Sequence, residues 1–371
     1  MPRRVRVGCD GGVVPHTFHG LGRRRPGPSP TSPEERVLKA FRCRVCDNAL
    51  HFENSVCVSC STPLGFSRAE RAIVPVDATG RYVDATGTSW YVCANLNLSG
   101  CTWLSAHAGG QCSSCDLTRP RPNDDDLVGL DNYPAAEQAK RHLLVELDSL
   151  GLEVVGYADD PENGIAFDLL SSVEENVVIG HADGVITIDL AESDDAYREK
   201  VRAQMAEPYR TMLGHFRHEF GHYAEWQLVR GDEVMERCRE LFGDESASYQ
   251  DAIDRHYEEG APEGWEESYI STYATMHPFE DFAETWAHYL HVCDAIETAR
   301  EYGLVTLGTV SDFSRFRDVV TGVWTPLSVA LNQMNRSMGK DDLYPFVIPE
   351  PVLEKLEFVA GLVPATSQGA G

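Results

Sequence analysis

Thr211-Met212-Leu213-Gly214-His215-Phe216-Arg217-His218-Glu219-Phe220-Gly221-His222-Tyr223-Ala224-Glu225-Trp226 is the stretch on which the reading of this chain turns. Pro208, just ahead of it, suits the first turn of a helix, and Gly231 suits the position past its end. Met212, Phe216, Tyr223 and Trp226 bring bulky apolar surface at mostly helical intervals, so the spacing predicts a partly buried helix. Within it lies His218-Glu219-x-x-His222. Histidines at i and i+4 share one helix face and can offer imidazole nitrogens to a single zinc ion. The glutamate after the first histidine then lies beside the ion, where it can take a proton from water that the zinc activates. His215 sits one turn earlier on the same face and is read as a packed histidine or a supporting group near the site.

A mononuclear catalytic zinc needs a third protein ligand and an open position. The close-following pattern HExxHxxGxxH is absent, since Glu225 and Leu228 stand where its glycine and third histidine would be. The third ligand is therefore sought downstream, in His277-Pro278-Phe279-Glu280-Asp281-Phe282-Ala283-Glu284-Thr285-Trp286-Ala287-His288-Tyr289-Leu290-His291. Pro278 marks a helix start. Glu280, Glu284, His288 and His291 then form one stripe, with Phe282, Trp286 and Tyr289 on the other side. Buried carboxylates and imidazoles need partners, which a metal and its surroundings supply. The reading places Glu280 on zinc and Glu284 on a ligand histidine, with Glu284 as the alternative third ligand. His288 is a supporting or alternative group, and Asp281 faces elsewhere.

Nearer the N-terminus stand two cysteine quartets. Cys43-x2-Cys46-x10-Cys57-x2-Cys60 has two tight knuckles, each turning two thiolates toward one point, and together they suit a closed, structural zinc site. So small a segment needs a metal to fold. The spacing of Cys93-x7-Cys101-x10-Cys112-x2-Cys115 is looser, with one knuckle and a strand-like approach through Ser89–Val92; His107 is the alternative to one of its thiolates. Cys9, Cys238 and Cys293 stand alone and read as a tail thiol and two core thiols.

The chain has 371 residues, 11 cysteines, and 32 basic against 58 acidic side chains, a net charge of -26. Residues 1–40 carry 8 basic and 3 acidic groups, 41–122 carry 7 and 6, and 123–371 carry 17 and 49. Three regions follow: a flexible Arg/Pro/Gly-rich tail over 1–40, a zinc-ribbon module over 41–122, and a catalytic domain over 123–371. The acidity makes nucleic acid an unlikely partner for the last region and leaves a contact through the first two open. No run of about 18 apolar residues is present, and the basic start (Arg3, Arg4, Arg6) lacks the apolar core of a signal peptide. A cytoplasmic protein with reduced thiols is expected.

The HExxH helix followed by Glu280 resembles the gluzincin class of zinc peptidases. Tyr273 and Glu280-Asp281-Phe282-Ala283-Glu284 are similar to the active-site helix of the anthrax lethal factor type. That resemblance implies Glu280 as zinc ligand and Tyr273 as donor to the oxyanion, a task that suits a phenol. Over about Phe41–Val359, the strings FRCRVCDNALHFENSVCVSC, GHADGVITI, FRHEFGHYAEW, HPFEDFAETWAHYLH and DLYPFVI resemble the bacterial zinc-binding metallopeptidases with an N-terminal zinc ribbon. The resemblance implies an α+β, mostly helical, zincin-like domain behind a small β-rich ribbon module. It also implies one catalytic and two structural zinc ions and a peptide or protein substrate. The residue patterns add strands over Asn176–Ile179 and Gly184–Leu190, joined by a turn at Gly180–Gly184, and helices over Ala135–Leu150, Ala196–Met205 and near Pro326–Met338. His181 is expected in that exposed turn. The competing function is an adaptor whose ribbons recruit a protein partner while the HExxH site is vestigial.

Overall fold

In the computed structural model the described residues are 39–172, 177, 179–194, 211–305 and 315–364. The tail up to residue 38, Cys9, the helix over Ala196–Met205 and Pro208 lie outside them, as does part of the strand over Asn176–Ile179. The fold mixes strands and helices, with a β-rich N-terminal part and a mostly helical remainder.

The N-terminal part is built from hairpins. β1 (Leu64–Ser67) pairs antiparallel with β2 (Ala72–Pro75), and β3 (Arg81–Val83), β4 (Ser89–Val92) and β5 (Leu104–Ser105) form a second antiparallel sheet. A single helical turn, α1 (Leu96–Ser99), carries the chain from Cys93 toward Cys101. Gly65 is required where β1 passes β5: a Cβ there would lie 2.6 Å from Leu104 Cδ2.

α2 (Leu127–Ser149) begins well before the expected Ala135, because Asp126 caps it, accepting from Gly129 N at 2.8 Å. Pro134, just ahead of the expected start, lies inside the helix. The segment before α2 bonds to the next sheet, Arg119 N donating to Phe167 O at 2.9 Å. That sheet has the order β6-β8-β7: β6 (Ala166–Leu170) runs parallel to β8 (Val185–Asp189), and β7 (Gly180–Ala182) runs antiparallel to it. The hairpin turn is tighter than expected. Only Asp183 and Gly184 form it, with φ of 49° and 81°, as a two-residue turn with both centres left-handed requires. His181 therefore belongs to a strand, half-buried against Tyr223 and Trp226, and not to an exposed turn. β8, within GVITIDL, is the middle strand, and β7 stands at one edge of this sheet.

α3 (Met212–Leu228) starts at Thr211, whose side chain accepts from Gly214 N at 3.0 Å. Gly231 is not its terminator. With φ of 84° it is the N-cap of α4 (Asp232–Phe242), so α3 stops at Val229 and the chain turns at once. α5 (Tyr249–Glu259) and a turn at Tyr273–Thr275 lead to α6 (Pro278–Glu301), which begins at Pro278 as expected, with His277 Nδ1 accepting from Phe279 N. A short helix, α7 (Phe316–Val319), passes through a π-turn (Val320–Trp324) into α8 (Thr325–Ser337), and α9 (Glu350–Leu362) closes the described chain.

α3 and α6 cross closely at Gly221. A Cβ on it would lie 2.8 Å from Ala283 Cα, so only glycine admits this approach. Phe282, Trp286 and Leu290 of α6 are fully buried beside Phe216 and Phe220 of α3. One hydrophobic cluster runs from Phe41 and Phe66 through α2 to Val359, so the core does not stop at the composition boundary near residue 122.

Candidate metal centre

Three groups of metal-binding side chains lie together among the described residues: Cys43/Cys46/Cys57/Cys60, Cys93/Cys101/Cys112/Cys115, and His218/Glu219/His222, each with its ligand atoms within 4.8 Å of one another. In the first, Cys43 and Cys60 Sγ are 3.7 Å apart and Cys46 and Cys57 Sγ 3.6 Å apart. In the second, Cys93–Cys115 and Cys101–Cys112 are separated by 3.6 and 3.5 Å. These separations are far longer than the ~2.05 Å of a disulfide and suit thiolates around one ion. Backbone N–H groups of Asn95 and Cys112 donate to Cys93 Sγ at 3.5 and 3.3 Å, as thiolate ligands require. His107 is exposed and outside the group, while Cys238 and Cys293 are buried singly.

The third group stands on α3 and faces α6, from which Glu280 and Glu284 reach its histidines. His218 Nε2 is 3.0 Å from Glu280 Oε2, and His222 Nε2 is 3.5 Å from the same oxygen. Glu284 Oε1 lies 2.8 Å from His218 Nδ1, on the far side of that ring, and Ser271 donates its hydroxyl to Glu284 Oε2 at 2.7 Å. The two carboxylates thus take different edges of one imidazole. Burial alone would push Glu280 up, but its bonds to His218 and His222 hold it well below the carboxylate range. The same two glutamates outweigh burial at His218 and push it up. Buried anions here call for positive charge. Nitrogen and oxygen donors converging from three side chains suit zinc.

Glu219 is buried, and its Oε2 has no hydrogen-bond partner among the described residues. Burial raises its pKa. The Tyr273 ring centre is 5.8 Å from His218, and burial pushes its phenol up, so it keeps its proton. Other predicted groups are turned elsewhere. His215 Nδ1 lies 3.9 Å from Glu192 Oε2, His288 Nδ1 is 2.8 Å from the Tyr344 hydroxyl, and His291 Nδ1 meets Arg217 at 2.6 Å. Asp281 faces away from the group and pairs with Lys355 at 2.6 Å. Two neighbours escaped the sequence reading. Tyr249 donates to Glu280 Oε1 at 2.6 Å, and the Phe279 ring stacks on His222 at 3.9 Å. Phe279 could have been found from its place beside Glu280; Tyr249 carries no local signal.

These clusters and the fold around them define a metal-binding protein with a ribbon-like N-terminal part. The chain belongs to the family described as "Putative zinc-binding metallo-peptidase", whose family model matches residues 129–362, and a zinc-ribbon domain model matches residues 40–126. It is 49% identical over 334 residues to the uncharacterized proteins Rv2568c of Mycobacterium tuberculosis (strain H37Rv) and Mb2598c of Mycobacterium bovis, covering 88% of this chain and 95% of each relative. No solved structure matches at a significant level. Zinc is the metal that the family and the cysteine clusters support. Among the described residues, no helix is long and apolar enough to cross a membrane.

Proposed function

We propose that this chain is a cytoplasmic, zinc-dependent hydrolase of peptide bonds with a zincin-like, gluzincin-type centre. The supporting observation is the meeting of His218 Nε2, His222 Nε2 and Glu280 Oε2 within 3.0 and 3.5 Å across two helices, with the unpartnered Glu219 Oε2 beside them. His218, His222 and Glu280 would hold the catalytic zinc, and the cysteine quartets would hold two structural ions. Bound there, zinc would supply Lewis-acid polarisation and lower the pKa of water. Glu219 serves as general base, and its raised pKa brings it nearer the value at which a carboxylate both accepts and returns a proton. Glu284, itself held by Ser271, orients His218 through Nδ1. Tyr273 keeps its phenolic proton and donates it in a hydrogen bond to the developing oxyanion. β7, an edge strand next to α3, could pair with an extended peptide.

Metal analysis of the purified chain is expected to give about three zinc ions, one removed by mild chelation and two retained. On a mixed peptide library, Glu219→Gln is expected to keep all three ions and to lower turnover by about 10²–10⁴-fold. Full turnover by this variant would sink the mechanism.

A further inference from the structure

A cavity of about 750 Å³ lies beside the candidate centre, with Trp226, Val229, Met235, Tyr249 and Phe279 among its lining. It shares walls with the centre, because Phe279 stacks on His222 and Tyr249 bonds to Glu280. A space of this size takes a large side chain or a small ligand. Its lining is chiefly apolar, and one group there is out of keeping. Glu225, one turn beyond His222 on α3, also lines the cavity, and its Oε2 is buried without a hydrogen-bond partner among the described residues. An unpaired carboxyl oxygen against apolar walls is costly until something donates to it.

The other polar groups of the lining are engaged. His277 bonds to Ala247 O through Nε2 and to Phe279 N through Nδ1, both at 3.1 Å. Glu245 accepts from Arg239, and the Arg230 guanidinium is turned to Gln227. Burial first, and then the like charges of Glu245 and Glu280, push the Glu225 carboxyl up to about 8, a penalty that a cation set against it relieves.

We propose that this cavity is the side-chain pocket of the peptidase centre and selects a lysine or arginine of the substrate. The aliphatic stem lies along the apolar walls and the cationic head donates to Glu225 Oε2. The inference rests on reading the neighbouring centre as a peptidase. A norleucine side chain satisfies the walls and leaves Glu225 unpaired; a glutamate meets like charge. A site built around a buried polar group rejects the analogue that cannot pair with it.

The test uses the full-length, zinc-loaded Glu219→Gln protein, titrated calorimetrically with hexapeptides that differ only in having arginine, norleucine or glutamate at one scanned position. At one position the arginine peptide is expected to bind at least about tenfold more tightly than the norleucine peptide, and the glutamate peptide most weakly. Adding Glu225→Gln removes the arginine preference and leaves norleucine affinity unchanged. Met235→Trp, which narrows the cavity, weakens both. Equal affinities for arginine and norleucine, or an arginine preference that survives Glu225→Gln, overturn the proposal. If the wild-type protein turns over no peptide yet the Glu225-dependent preference holds, the peptidase reading fails and the pocket stands. Turnover without any basic preference has the opposite meaning.

Discussion

Glu280 presents one carboxylate oxygen to His218 and His222 and the other to the Tyr249 hydroxyl. The tyrosine fixes the rotation of the carboxylate, so that Oε2 stays aimed between the two imidazoles. Tyr249→Phe is therefore expected to weaken zinc binding at the proposed centre by about tenfold. Competition against a fluorescent chelator measures this, and unchanged affinity would remove Tyr249 from the centre. Helical periodicity places His218, Glu219 and His222 on one face, so their association is legible in the sequence. Their joining to Glu280 is less so, because the stripe Glu280/Glu284/His288/His291 is uniform in its spacing and yet divides in space. Its first two members go to His218, while His288 goes to Tyr344 and His291 to Arg217. Which members of a polar stripe serve one site depends on where the crossing helix passes. Tyr249 lies 31 residues from Glu280 and was invisible to any local pattern.

Among elements, the α3–α6 crossing decides whether the centre forms at all. Gly221→Ala would put a Cβ 2.8 Å from Ala283 Cα and 3.0 Å from Ala283 O, both backbone atoms that cannot move aside. The helices must separate, and a stability loss of about 1–3 kcal/mol is expected together with weaker zinc binding. Denaturant unfolding of the metal-free protein, paired with a zinc titration, reads both effects; a stable variant with normal affinity would contradict the packing argument. α2 plays a similar part between ribbon and helices. Arg141, 1% exposed, pairs with Glu53 of the ribbon region and lies 3.5 Å from Glu137. Lys140 is held by Glu137 at 2.8 Å and by Thr118, while Arg68 forks onto Asp148 with two 2.7 Å bonds. Breaking a buried pair from one side leaves an uncompensated charge, so Arg141→Ala should cost about 3–5 kcal/mol in a urea titration. By the same reasoning a 123–371 fragment should be insoluble, and a soluble, folded fragment would refute the idea that the ribbon is part of the scaffold.

For the whole molecule, the seam between ribbon and helices predicts acid sensitivity. His142 of α2 is exposed on one side and sits edge-on to the Phe52 ring at 4.6 Å on the other, and desolvation on that packed side lowers its pKa toward about 4, from an ordinary value near 6.5. Between those values the unfolded chain takes up a proton that the folded chain refuses. Stability is thus fully present above about pH 6.5 and declines modestly as pH falls toward 4, because solvent reaches the exposed side of the ring and screens the effect. Urea midpoints at pH 7 and pH 5 should differ in the wild type and differ less in His142→Phe; parallel shifts would assign the acid loss to other groups. By itself the sequence determined which side chains could bind metal, and that helices and knuckles carry them. Those are matters of spacing, settled within a few turns of chain. Tertiary structure alone decided that β8 is the middle strand with β7 at an edge, that Gly231 opens a helix instead of closing one, and that Glu280 shares an oxygen with two histidines. It also decided that ribbon and helices share one core. Each of these depends on close packing between segments distant along the chain, and local periodicity does not encode which surfaces will meet.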